Sequence, residues 1–425
     1  MLISVIVAFF GLLIIGVPIA HVVLGAAGIG CLMTGTTGTI LAQQTVLGMN
    51  SYVMLAVPFF ILSGDLAAKG QTSQRLVNAI NAFLGHLPGG LGIATIFACA
   101  IFGAITGSSI ACVVAIGALM LPKLKENGYP LLLSLGIITT GGTLGVMIPP
   151  SIPMLQIAIA MGTSVGKQFT AGFIPGILTA AIMSAYVVIY AKRTGIPRTS
   201  RIPFRQRMLV LKDSFWALMF PVIVLGSIYG GIATPTEAAI ISLFYVLAVE
   251  LFVYRTVSFK ELYSIMKAST VSAATLTMTI ATAQVFVWWM TTQGIPGLVY
   301  DWIIGFCHSK YLLWLLLCVL FFVVGCFTNV ATVVLILGPM IKPVLEFFGI
   351  DAMHFCIIAV MMSQIGFVTP PFGLCLFTTM KIAEVSMKDV IRGAWPFLVA
   401  MVISTIILIL FPALTTFLPN LVYGA

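Results

Sequence analysis

Long apolar runs, separated by short breaks of glycine, proline and polar residues, extend from Leu2 to Leu418. Lipid offers the backbone no hydrogen-bond partner, so runs near 20 residues read as membrane-embedded helices, whereas barrel strands would alternate over segments of about ten. The pattern predicts helices near 2–20, 22–47, 50–67, 91–121, 131–148, 152–163, 169–191, 214–232, 236–254, 268–292, 311–325, 329–348, 352–368, 371–383 and 394–418. Several are too short to cross alone or are interrupted by Gly or Pro, and the chain has room for roughly ten to thirteen embedded segments.

Composition agrees: of 425 residues 60% are hydrophobic and only 7% charged, and the mean hydropathy is +1.17. This excludes a soluble protein, and the longest polar stretch, 191–214, leaves no room for a soluble domain. The formal net charge of +9 does not point to nucleic acid, because seven of the twenty Lys and Arg fall in that one loop: Lys192, Arg193, Arg198, Arg201, Arg205, Arg207 and Lys212. Such a loop is expected in the cytoplasm. Two expected spans, 214–232 and 236–254, lead from it to Arg255, Lys260 and Lys267, a second basic segment on the same side. The eight cysteines show no CxxC spacing, so neither a zinc site nor a disulfide framework is expected. Leu2 to Ala20 reads as a retained span, since no basic region precedes it and no clear cleavage site follows.

A repeat lies in the residues that fix backbone shape. Shifting the chain by 221 positions places Pro122 on Pro343, Gly128 on Gly349, Gly145 on Gly366, Pro149 on Pro370 and Pro150 on Pro371, with Leu124 on Leu345 and Ile137 on Ile358. The expected fold is therefore an all-α polytopic membrane protein of two repeats, with broken helices and re-entrant hairpins. Its parts would be N-terminal scaffold spans (1–49), a first repeat (50–190), the basic loop (191–213), linking spans (214–267) and a second repeat (268–425). Inverted repeats are expected, because halves facing each other across the membrane generate two-sided access.

About 42 residues before each Pro-Pro lies a second break, Gly103-Ala-Ile-Thr-Gly-Ser-Ser109 in one half and Gly325-Cys-Phe-Thr-Asn329 in the other. Matched interruptions in two halves point to a transporter site at the midplane, where freed carbonyls coordinate a cation and half-helix N-termini face an anion. Two readings compete for Thr106, Gly107, Ser108 and Ser109: a close helix crossing, or a cation or solute site. Their hydroxyl and carbonyl oxygens suit a hard monovalent ion such as Na+. Pro149-Pro150-Ser151 and Thr369-Pro370-Pro371 cannot continue a helix.

Glu237 is by default an intramembrane functional candidate, but it reads as structural, since Thr234-Pro-Thr-Glu237 matches a capping box with Pro at the first helical position. Asp65, four residues before Lys69, reads as half of an interfacial ion pair, with a proton relay as the competing role. There is no P-loop, HExxH or GxSxG, so no enzymatic activity is expected and energy must come from an ion gradient.

Taken in order, Gly16-Val-Pro-Ile-Ala20, Pro58-Phe-Phe-Ile-Leu-Ser-Gly64, Ile105-Thr-Gly-Ser-Ser109, Ile148-Pro-Pro-Ser-Ile-Pro153, Ala171-Gly-Phe-Ile-Pro-Gly176, Gly231-Ile-Ala-Thr-Pro-Thr-Glu-Ala-Ala239 and Thr369-Pro-Pro-Phe-Gly373 resemble the large membrane subunit of tripartite ATP-independent periplasmic (TRAP) transporters. The resemblance covers essentially the whole chain. It implies an elevator-type, Na+-coupled importer of organic acids in the bacterial inner membrane, paired with a small four-helix membrane subunit and served by a periplasmic substrate-binding protein. The implied Na+ ligands are Gly103, Thr106, Ser109, Gly145, Ile148, Pro150, Gly325, Asn329, Gly366 and Thr369. The implied solute contacts are Gly107, Ser108, Ser151, Thr328, Asn329, Pro370 and Pro371. The solute would be a sialic acid, a C4-dicarboxylate or a sulfonate. One departure falls at the second hairpin, where the family often has an acidic residue and this chain has Asn329-Val-Ala-Thr332.

Overall fold

The computed structural model describes residues 2–198, 201–327 and 330–424. Helices α1 (Leu2–Ile14), α2 (Ile19–Met33) and α3 (Gly38–Met49) lead through a 3-10 turn at Tyr52–Leu55 into α4 (Ala56–Lys69). The first half continues with α5 (Thr72–Leu84), α6 (Gly90–Thr106), α7 (Ser109–Glu126), α8 (Leu131–Gly141), the single turn α9 (Leu144–Met147), α10 (Ile152–Met161) and α11 (Val165–Thr194). The connector holds α12 (Phe204–Asp213), α13 (Phe215–Tyr229) and α14 (Pro235–Ala248), which ends in a π-helical turn at Val249–Val253. The second half comprises α15 (Phe259–Thr292), α16 (Ile295–Phe306), α17 (Lys310–Gly325), α18 (Val330–Phe347), α19 (Ala352–Phe367), α20 (Leu374–Ala383), α21 (Met387–Leu410) and α22 (Ala413–Tyr423).

No strand occurs among the described residues. Six helical stretches among them are long and apolar enough to cross a membrane: Tyr52–Lys69, Val165–Thr194, Pro235–Val253, Phe259–Thr292, Val330–Phe347 and Met387–Leu410. Two helix pairs reach that length and hydropathy only together, bent by 43° between Leu131–Met147 and Ile152–Met161 and by 61° between Phe204–Asp213 and Phe215–Tyr229.

Several expected helices divide for local reasons. The expected run 91–121 breaks into α6 and α7 because Gly107 adopts φ +61°, a left-handed conformation that suits glycine, and Ser108 then caps α7 by accepting from the Ala111 amide at 3.4 Å. Cys112 Sγ meets the Cys99 carbonyl at 3.3 Å, so α7 folds back along α6 as a hairpin. The expected run 22–47 divides at Gly35, also left-handed at φ +70°. Helix α15 begins at Phe259 rather than 268, because Ser258 and Glu261 form a capping box that extends it into the basic segment. Helices α5, α12 and α16 were not expected.

The two halves have opposite orientations relative to α11, which is 30 residues, about 45 Å, long. Lys342 Nζ, near the end of α18, donates to the Met161 carbonyl at 3.3 Å, just before α11 begins. The turn after α7 reaches the other end, where a methyl at Gly128 would lie 3.4 Å from Pro197. Since α7 and α18 are repeat equivalents ending at opposite ends of one helix, the repeats are inverted.

Two layers result. In one, α4 packs against α14 and α15, and α15 also carries α2 and α3. Val23, Ala27 and Cys31 of α2 form a small core with Phe286 and Trp289 of α15. The other layer joins the hairpins and broken helices of both halves, for instance through the 2.7 Å bond between Thr179 and Ser404. The layers are stapled near one face by Glu250, which is fully buried at the end of α14. Its carboxylate accepts from the Gln71 amide (3.1 Å), the Thr72 amide (3.0 Å), Thr72 Oγ1 (2.6 Å) and Thr256 Oγ1 (2.6 Å). A carboxylate at the start of α5 satisfies amides with no helical partner and complements the helix dipole.

Candidate functional site

The tip of the α6–α7 hairpin forms one wall of a cavity of about 250 Å³. Thr106, Gly107, Ser108 and Ser109 contribute from the tip, Ile152 and Pro153 from the start of α10, and Gln364 and Phe367 from α19. Ile61 and Asp65 of α4 and Ser272 and Leu276 of α15 complete the lining. The cavity thus lies between the two layers, where both halves of the hairpin layer meet.

Local geometry follows from small residues. A methyl on Gly103 would fall on the Cα of Gly145, so α6 and α9 touch backbone to backbone. The second half repeats this device: a methyl on Gly366 would lie 2.5 Å from the Gly325 carbonyl carbon. Gly64 lets α4 approach the same tip, with its hypothetical methyl 2.7 Å from the Thr106 Cα. In each half the tip also touches the segment after the Pro-Pro break. Gly107 packs on Ile152, and the Phe327 ring lies 5.3 Å from that of Phe372.

Ser109 Oγ donates to Gln364 Oε1 at 2.5 Å, joining the first hairpin tip to α19. The other tip hydroxyls are loosely held. Thr106 Oγ1 has contacts of 3.5 Å to the Gly103 carbonyl and 3.4 Å to the Ser108 carbonyl, long for hydroxyl bonds. This leaves their oxygens open to a ligand.

The structure gathers some expected site residues and separates others. Thr106, Gly107, Ser108 and Ser109 line the cavity, whereas Gly103, Gly145, Gly325 and Gly366 serve the close backbone packing behind it. Ile148 is extended and donates its amide to Leu144, and Pro149-Pro150 is cis and buried. Ser151 does not line the cavity; its hydroxyl accepts from the Met154 amide at 3.5 Å as the cap of α10. Thr369 Oγ1 bonds the Ile365 carbonyl at 2.7 Å. Pro370 and Pro371, also joined by a cis bond, are exposed and off the cavity wall. Thr328 and Asn329 lie outside the described residues.

Asp65 differs from expectation. It makes no ion pair with Lys69: Ser269 of α15 packs across α4 and donates to Asp65 Oδ2 at 2.5 Å, while Lys69 is exposed at the helix end. Among the described residues the one ion pair is Arg75 with Asp213. Asp65, Ala111 and Ser272 also border a larger opening of about 840 Å³ that runs past Lys69 to Thr256 and Glu261.

Glu237 accepts from the Thr234 amide at 2.7 Å and Thr234 accepts from the Glu237 amide at 3.3 Å, a reciprocal cap at the exposed start of α14. Thr236 of that turn bonds the Tyr52 carbonyl, before α4 begins, whereas Asp65 lies nine residues into α4, about 14 Å further along. The two carboxylates do not share a site. Gln364 and Ser272 are the polar wall residues that sequence reasoning missed. The signal for Gln364 was the pair Ser363-Gln364 within an apolar run just before Gly366.

Comparison with known proteins fits this architecture. Residues 6–414 match the family described as "Tripartite ATP-independent periplasmic transporter, DctM component". The chain is 36% identical to the ectoine TRAP transporter large permease protein TeaC of Halomonas elongata, over 97% of each chain. It is 34% identical to the C4-dicarboxylate TRAP transporter large permease protein DctM of Rhodobacter capsulatus, over 97% of this chain and 98% of that one. The crystal structure of the Alcanivorax borkumensis YdaH transporter shares the fold, with a TM-score of 0.65 at 14% identity over 87% of this chain and 86% of that one. The chain belongs to the DctM component family of tripartite ATP-independent periplasmic transporters, as a multi-span large permease and not an enzyme.

Proposed function

We propose that this chain is the membrane permease of a Na+-coupled importer of small organic acids in the bacterial inner membrane, working with a small four-helix membrane subunit and a periplasmic binding protein. The carrying observation is the cavity at the first hairpin tip, where Ser109 of one repeat bonds Gln364 of the other and α4 and α15 complete the lining. The family match supplies the class of transporter, and the named solutes of the two relatives are ectoine and a C4-dicarboxylate.

The donor set fits a hard monovalent cation: loosely held hydroxyls at Thr106 and Ser108, and helix-end carbonyls at the α6 break. Bound there, Na+ supplies a positive charge beside the solute's acid group. The starts of α7 and α10 present amide dipoles to the same space. Ser109 and Gln364 hold the tip against the second half, so ordering one orders the other. The hairpin layer would then carry its load past the α4–α14–α15 layer as an elevator. Coupling requires that empty and loaded states move differently, since a ligand biases a conformational equilibrium only through differential affinity.

The test is uptake of labelled organic acids into proteoliposomes containing this chain and its small subunit, with binding protein outside, under inward Na+ or K+ gradients. Uptake needing both Na+ and the binding protein is expected. Uptake with Na+ alone would instead make the chain a stand-alone symporter, and equal uptake under K+ would remove the Na+ assignment.

A further inference from the structure

We infer that the solute carries a cationic group, an ammonium or amidinium, beside its acid group, and that Asp65 selects it. The inference rests on the reading of the cavity as the solute site.

Asp65 is the sole ionisable side chain on the described cavity wall. The other polar wall residues, Thr106, Ser108, Ser109, Ser272 and Gln364, are neutral. No arginine or lysine among the described residues reaches the wall to receive a second carboxylate. One Asp65 oxygen accepts from Ser269, and among the described residues no basic side chain lies within ion-pair distance of the carboxylate; Lys69, whose charge acts on it from further off, borders the outer opening and not the cavity. A half-buried carboxylate with spare acceptor capacity favours an N–H donor bearing positive charge and repels a solute acid placed beside it.

Placement gives the site polarity. The lining combines the hydroxyls and helix starts of the hairpin tip with Asp65 on α4 and Ser272 on α15. A zwitterion satisfies both kinds of group at once, its acid at the tip hydroxyls and helix starts and its cation at Asp65. A dianion would set its second charge against Asp65. Because α4 belongs to the other layer, Asp65 would meet the solute only when the tip stands opposite it.

The experiment compares matched pairs that differ by the cationic group: isethionate with taurine, and succinate with aspartate. Equilibrium binding is measured calorimetrically in Na+, using the purified chain with its small subunit in nanodiscs. Each amine is expected to bind at least tenfold tighter than its partner. Asp65→Asn should erase that preference through loss of amine binding alone, while Asp65→Glu and Ser269→Ala, which keep the carboxylate, should retain it. Failure of both amines to outbind their partners in the unaltered chain overturns the inference, and that comparison needs no variant to fold. A preference that survives Asp65→Asn overturns it as well. Na+-driven uptake in parallel separates the two readings. Intact preference without coupled uptake defeats only the import reading, and coupled uptake of the acids without preference defeats only this one.

Discussion

Ser109 and Gln364 stand 255 positions apart in the chain and share a 2.5 Å hydrogen bond beside the cavity. The serine is the donor, so its oxygen keeps acceptor capacity toward the tip, and Gln364, 1% exposed, depends on it for a partner. Ser109→Ala would leave a buried carbonyl unsatisfied, a cost of about 1–3 kcal/mol. The expected outcome is a higher Na+ concentration for half-maximal uptake with little change in expression. Ser109→Ala and Gln364→Ala should be non-additive by about 0.5–3 kcal/mol in thermal denaturation. Unchanged Na+ activation in Ser109→Ala would remove that residue from the cation site.

The glycine contacts allow a sharper packing test. Gly103→Ala and Gly366→Ala place a methyl against backbone that cannot yield, and overpacking of this kind costs about 1–3 kcal/mol. Gly226→Ala is the control, since nothing lies within 4 Å of the added carbon. Melting of the purified variants should separate the first two from the third.

Glu250 holds the start of α5 through three hydrogen bonds and accepts a fourth from Thr256. Glu250→Ala strands the amides of Gln71 and Thr72 and should cost about 1–3 kcal/mol. Hydrogen exchange should rise first in the opening turn of α5. Exchange confined to α14 would show that the carboxylate supports only its own helix.

Glu237→Gln should transport at the normal rate, because its carboxylate caps an exposed helix start away from the cavity. A loss of uptake in a folded variant would return this residue to the functional set.

Sequence showed where the backbone breaks and little about what meets across the breaks. Gly107, Pro149-Pro150 and Pro370-Pro371 are visible because glycine and proline act on their own backbone. Gln364, Ser269 and Glu250 act through partners between 178 and 255 residues away, and helical periodicity names a face without naming its neighbour. Asp65 illustrates the limit: Lys69 was a sound local partner, but the donor came from Ser269 across the layer. Helices α5 and α12 were obscured by their polar faces, and α16 by its brevity at 12 residues.

The Glu250 contact also bears on how the chain is made. Thr72 leaves the ribosome 178 residues before the carboxylate that caps it, a delay of roughly ten to forty seconds at ordinary bacterial elongation rates. Throughout that interval the first repeat is already entering the bilayer with the start of α5 unfinished. Splitting the gene after α11 should therefore yield an N-terminal fragment prone to quality-control proteolysis unless the connector is supplied alongside it.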